Sequence, residues 1–209
     1  HTHERVMFMK IERIGNAKII MSNPDSLHNY FAWPSIVRLQ NGKIAVAASG
    51  YRLNHLCPFG KAVISYSEDN GETYTVPAPV IDTPLDDRDA GLCTFGDKGL
   101  IFTSFNNTRE VQRWWKHIDI NYRDAYLNLV DNQAEKKYLG STFRISNDCG
   151  VTFGPIHISP ITSPHGPIET KSGKIIWVGR PFSDAANPLT TEEDRIKAYE
   201  IHLDGSMEF

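Results

Sequence analysis

Arginine, histidine and aspartate recur at a few points of this chain: Arg52 and His55, the run Asp86-Asp87-Arg88-Asp89, His165 and Arg180. Trp33, Trp114 and Trp115 stand close to them in sequence. An arginine fork binds a carboxylate through two parallel N–H bonds. A carboxylic acid protonates a leaving oxygen, an imidazole positions or relays a proton, and aromatic rings stack on sugar faces. Together these types suit an anionic or hydroxyl-rich sugar, with Arg52, Arg88, Arg180 and Trp33 binding it and Asp89, Asp87, His55 and His165 handling protons. Each has a plainer reading. The run 86–89 suits a solvated loop with local ion pairs. His165, within Ser-Pro-His-Gly-Pro, suits a turn cap, and Trp114 and Trp115 suit helix packing. Arg52 directly follows an apolar strand and Arg180 ends a corresponding one, which favours a shared inward orientation.

What would bring these residues together is a set of recurring turns. Asn41-Gly42, Gly96-Asp97-Lys98-Gly99 and Ser172-Gly173 each precede an apolar strand, at 43–48, 100–103 and 174–178. Asn-Gly between apolar runs is a strong hairpin signal. A second turn follows: Ser67-Glu68-Asp69-Asn70-Gly71-Glu72-Thr73-Tyr74 returns as Ser146-Asn147-Asp148-Cys149-Gly150-Val151-Thr152-Phe153. Both copies read Ser-x-Asp-x-Gly-x-Thr-aromatic. The glycine supplies a positive φ, and the aspartate two residues earlier accepts from the turn's own amides with help from Ser and Thr hydroxyls. The aromatic, Tyr74 or Phe153, anchors the turn on the strand behind it. A worn third copy at 202–209 keeps Asp204 and Phe209 at the same separation, and the chain stops inside it, before its fourth strand.

The unit is thus strand, hairpin, strand, loop, strand, hairpin, strand, a four-stranded antiparallel sheet repeated along the chain. From hairpin glycine to motif aspartate it runs 27 residues from Gly42 to Asp69, 49 from Gly99 to Asp148 and 31 from Gly173 to Asp204. The middle unit therefore holds about 20 extra residues, placed at 106–138 between its second and third strands. Within them 110–118 and 122–130 read as helical. The units span 30–81, 82–161 and 162–209. In such a unit the first and third turns share one end. The long loops at 51–61, 106–138 and 180–188 and the crossovers at 24–34, 82–91 and 162–167 share the other. All the candidate residues fall on that second end, where they are expected to form one mouth.

The repeated turn is the Asp-box, and on it the chain resembles the Asp-box (BNR-repeat) propellers, the sialidase or neuraminidase superfamily above all. The resemblance runs the length of the chain. It implies an all-β, sialidase-like propeller of six blades and about 350 residues, three of them present here. The chain would then be the N-terminal half of a larger protein, or a partner in a ring closed by another copy, with open blade edges free to associate. The resemblance makes the Asp-box a structural turn remote from the active site. It matches Arg52, in Ser49-Gly50-Tyr51-Arg52, to an arginine that grips the substrate. Elsewhere the chain departs from the family. The family's Arg-Ile-Pro stretch corresponds to Phe31-Ala32-Trp33-Pro34-Ser35-Ile36, keeping Pro34 and placing Ala32 where the arginine stands. The acid expected after Arg52 is missing: 53–61 contains no carboxylate, and His55 is its titratable candidate. The family's tyrosine nucleophile and glutamate partner belong to later blades. The expectation is a sialidase-like glycoside hydrolase with a rewired site, acting on a terminal sugar of a glycan, acidic sugars included. A non-catalytic carbohydrate-binding propeller and a lyase of uronic-acid glycans are the alternatives.

The 209 residues, with 15 Gly, 12 Pro and 40% hydrophobic side chains, describe a turn-rich globular chain. A net charge of -3 gives no electrostatic case for nucleic acid or an anionic membrane. No apolar run approaches the roughly 18 residues of a membrane helix. Cys57, Cys93 and Cys149 lack metal spacing and read as free, mostly buried thiols, so neither metal nor cofactor is expected. Residues 1–5 show no leader pattern, and secreted and cytoplasmic locations both stay open.

Overall fold

A computed structural model describes residues 15–114, 120–183, 188, 190 and 195–209. Trp115 and the stretches 115–119 and 184–187 of the expected loops lie outside the described residues. The fold is all-β, with three four-stranded antiparallel sheets that follow one another along the chain. The first contains β1 (Tyr30–Arg38), β2 (Ile44–Arg52), β3 (Lys61–Ser67) and β4 (Ala78–Ile81). The second contains β5 (Arg88–Phe95), β6 (Gly99–Asn106), β7 (Gly140–Ser146) and β8 (His157–Ile158). The third contains β9 (Ile168–Glu169), β10 (Ile175–Gly179), β11 (Lys197–Ile201) and β12 (Met207–Glu208). Each is a meander in chain order, so alternate turns lie at opposite ends.

The sheets stack face to face. In the second sheet Ala90, Leu92, Leu100 and Phe102 pack against Ala45, Ala47, Ala62, Ile64 and Ile81 of the first. Side chains of alternating direction, Cys93, Phe95, Ile101, Phe143 and Ile145, pack against Ile175, Trp177 and Ile201 of the third. The middle sheet is therefore apolar on both faces, which is why its strands read as continuous hydrophobic runs and not as alternation. This stacking sets β1 beside β5 and β5 beside β9. All three cysteines are free and buried.

The repeated octapeptides form the expected turns. Asp69 accepts from the Thr73 amide at 2.9 Å and the Thr73 hydroxyl at 2.5 Å, while Ser67 Oγ receives the Gly71 amide at 2.8 Å. Asp148, Thr152, Ser146 and Gly150 repeat the pattern at 2.8, 2.5 and 2.8 Å. These bonds favour the ionised carboxylates, holding Asp69 far below the usual range and Asp148 at about 2. Asn70 and Cys149 join their glycines in the left-handed region, at φ 60° and 57°. Two successive positive φ values give the hairpin twist that matches the strands.

Two expectations are corrected. The third unit has its fourth strand: Gly205, at φ 85°, closes a hairpin from β11 in which His202 N–H donates to Ser206 O at 2.9 Å, and β12 follows at once. Between β6 and β7 lie α1 (Arg109–Arg113), α2 (Ile120–Leu129) and a further helix, α3 (Asn132–Tyr138). The signal for α3 was Asp131, whose carboxylate caps it by accepting from the Ala134 amide at 2.7 Å.

Candidate functional site

Trp33, Asp89 and His165 each lie near the start of the first strand of their sheet, and each is left-handed, at φ 52°, 52° and 66°. A side chain in this region costs on the order of 1 kcal/mol, and such strain concentrates at ligand sites. Irregular register accompanies it: β1 slips against β2 between Ala32 and Ser35, and β5 against β6 between Arg88 and Gly91. The bulges turn residues of β1 and β5 away from the ladder and toward the loop end. Gly91 then lets the next crossover come close. A Cβ there would stand 2.3 Å from the carbonyl carbon of His165 and 2.5 Å from the Gly166 nitrogen.

Arg88 is the centre of the cluster. Its guanidinium carbon lies 4.4 Å from the Trp33 ring centroid, Nη2 is 3.4 Å from His55 Nε2, and Nη1 is 3.8 Å from Asp86 Oδ2. Nε lies 3.5 Å from Asp89 Oδ2. Trp33 meets the His55 ring edge-on at 4.9 Å and lies 5.4 Å from the guanidinium carbon of Arg52. Asp89 is held from behind, its amide donating to the buried Ser49 hydroxyl at 2.8 Å. It also walls a cavity of about 210 Å³ together with Phe105, Thr162, Ser163, Pro164 and Arg180.

Two expected ligand contacts sit beneath this surface instead. Arg52 is wholly buried. It donates to the carbonyls of His55 at 2.7 Å, Asp87 at 3.1 Å and Asn54 at 3.3 Å. Its Nη2 lies 2.5 Å from Asp86 Oδ1, a close ion pair in which no N–H is aimed along a hydrogen-bond axis. Arg52 therefore braces the 53–60 loop from inside and does not reach a ligand. Gly60 makes room for it, since a Cβ there would meet Nη1 at 2.2 Å. Asp87 is equally buried, accepting from the amide and the hydroxyl of Thr83, the latter at 2.9 Å. Burial pushes its carboxyl up to about 7. It is a structural acid, not a proton donor to substrate.

His55 is placed at the site but in a different role. Arginine can only donate, so the 3.4 Å contact engages the Nε2 lone pair of a neutral ring. Burial, then the Arg88 and Arg52 charges, lower its pKa and keep it neutral. The ring thus supports Arg88. Sequence reasoning gave no role to Asp86, the buried carboxylate shared by Arg52, Arg88 and the Cys57 amide at 3.2 Å. The helical insertion props the same loops: Phe59 stacks on Tyr122 at 4.6 Å, and Tyr126 donates to Pro84 O at 3.2 Å. Trp114 is exposed.

No group of three or more His, Cys, Asp or Glu suited to a metal occurs among the described residues. Among them, no helix is long and apolar enough to cross a membrane.

No protein-family model matches the chain, and no curated protein matches it. Similar solved structures include the Hadza microbial sialidase Hz136, with 11% identity and a TM-score of 0.47 over 84% of this chain and 33% of that one. An ulvan lyase of polysaccharide lyase family PL25 has 13% identity and a TM-score of 0.46 over 85% of this chain and 42% of that one. That lyase is also solved bound to -[GlcA(1-4)Rha3S]-. The chain spans less than half the length of each of these structures.

Proposed function

We propose that this chain is part of a sialidase-like β-propeller glycoside hydrolase that takes a terminal sugar of a glycan, acidic sugars included, at the mouth around Arg88. Three stacked meander sheets with their first strands side by side support the propeller reading. The observation that carries the function is the setting of Arg88. One guanidinium is held by an indole face, a neutral imidazole and a buried carboxylate, beside an aspartate that walls a cavity shared with Arg180. Arg88 and Arg180 bind the carboxylate or hydroxyls of the sugar, and Trp33 offers it a face. Asp89 gives its proton to the glycosidic oxygen as the carbon–oxygen bond breaks, and water supplies the hydroxyl to the sugar, its other proton returning to the Asp89 carboxylate.

The test compares Asp89→Asn, Arg88→Ala and Trp33→Ala on aryl glycosides of acidic and neutral sugars. Asp89→Asn lowers kcat by about 100-fold or more, the scale of a lost general acid. Arg88→Ala raises KM for acidic substrates more than for neutral ones. Unchanged kinetics in the Asp89 and Arg88 variants would remove the assignment. An unsaturated product absorbing in the ultraviolet would make the protein a lyase, and glycan retention without any product would make it a binding module.

A further inference from the structure

Ser35 joins the three sheets at one point. Its Oγ, on β1, lies 2.9 Å from the Ala90 carbonyl oxygen on β5 and 3.3 Å from Nδ1 of His165, ahead of β9. A hydroxyl has one proton, and a carbonyl oxygen can only accept. The shorter contact is therefore Ser35 Oγ–H donating to Ala90. If that proton pointed at the imidazole, two lone-pair oxygens would face each other at 2.9 Å. The second contact must run the other way, with Nδ1–H of His165 donating to Ser35 Oγ. A neutral imidazole has one N–H, so Nε2 carries the lone pair. His165 is fixed at φ 66° and its carbonyl is seated against Gly91.

We infer that Ser35 is a positioning residue that fixes His165 as the Nδ1–H tautomer and so makes Nε2 the proton-accepting atom of this mouth. The catalytic part of the inference rests on the hydrolase reading above; the tautomer does not. His55 and the exposed His165 thereby differ. Nε2 of His55 is engaged by Arg88, whereas Nε2 of His165 is left to accept a proton from water or a sugar hydroxyl as the bond to that hydrogen breaks and the new N–H forms.

The experiment is long-range ¹H–¹⁵N correlation of the imidazoles in the ¹⁵N-labelled chain, well above the ordinary histidine pKa of about 6.5. Loss of one signal set in His165→Gln identifies the ring. The wild-type ring shows a protonated Nδ1 and an unprotonated Nε2, Ser35→Ala shifts it toward the Nε2–H form, and Ser35→Thr keeps the wild-type pattern. A wild-type ring already in the Nε2–H form overturns the inference without any variant, and so does a Ser35→Ala spectrum identical to wild type. On a turned-over aryl glycoside, Ser35→Ala lowers kcat about fivefold at unchanged KM, the effect of one neutral hydrogen bond. An unchanged kcat beside a changed tautomer overturns the catalytic role alone. Absence of wild-type turnover rejects the hydrolase reading and leaves the tautomer to the spectrum.

Discussion

Replacing Asp87 by asparagine should flatten the pH dependence of stability across the mildly acidic range. The wild-type carboxyl is fully buried, and burial outweighs the two Thr83 bonds that favour its ionised form; Asp86 and Asp82 add repulsion. Its folded pKa is pushed up to about 7, against about 3.9 in an unfolded chain. Between those values the folded protein keeps a proton that the unfolded chain has released. Folding is then favoured most below the lower pKa, weakens as pH rises, and levels off above the upper one. Three units at about 1.4 kcal/mol each give a loss of about 4 kcal/mol, a large share of the roughly 5–15 kcal/mol that holds a domain together. Asparagine keeps the geometry, its carbonyl accepting from the Thr83 amide and its NH₂ donating to the hydroxyl, and has nothing to titrate. Urea unfolding of both proteins from about pH 4.5 to 8 isolates the residue, because other groups cancel in the difference between the curves. The variant should gain on the wild type steadily as pH rises to about 7. Parallel curves would mean that Asp87 is ionised in the fold and that the Thr83 bonds outweigh burial.

The Arg52–Asp86 pair should behave as one unit. Arg52→Met leaves Asp86 buried without its closest cation and lowers the stability read from urea unfolding by about 3–5 kcal/mol, while Asp86→Asn made in addition recovers part of that loss. Additive losses in the double-mutant cycle would show that the two residues act separately. Gly91→Ala drives a methyl group against backbone on the crossover and should cost about 1–3 kcal/mol in thermal or urea unfolding. An unchanged midpoint would mean that His165 and Gly166 do not rest on β5.

Where structure is local it was legible in the sequence. The bonds of the repeated Ser-x-Asp-x-Gly-x-Thr turn join residues two to four positions apart, so residue type and spacing carry the whole message. The same holds for the hairpin glycines. Arg52 shows where that legibility ends. Its place after an apolar strand marks it as inward, but inward toward ligand and inward toward a buried carboxylate look alike until the partner is known. That partner, Asp86, comes from the crossover leading to the next sheet and meets Arg52 only because the sheets stack. The run 86–89 divides for the same reason: Asp86 and Asp87 are wholly buried under the loop, while Arg88, nearly as buried, packs on Trp33 and the half-buried Asp89 walls the cavity.

Backbone strain was hidden for a different reason. Trp33, Asp89 and His165 are left-handed without being glycine; aspartate and histidine are enriched in that conformation, but tryptophan does not announce it. At the opposite end of the sheets the positive φ falls on glycines, joined by Asn70 and Cys149. At the mouth the unfavourable φ is carried by an indole, a carboxylate and an imidazole. Gly91 makes the complementary point one bulge further on, where a side chain is absent because His165 has to pass. The unfavourable backbone and the buried Arg52–Asp86 pair therefore have one physical consequence: they hold Trp33, Arg88 and Asp89 in place, and under the proposed function less ordering then remains to oppose sugar binding.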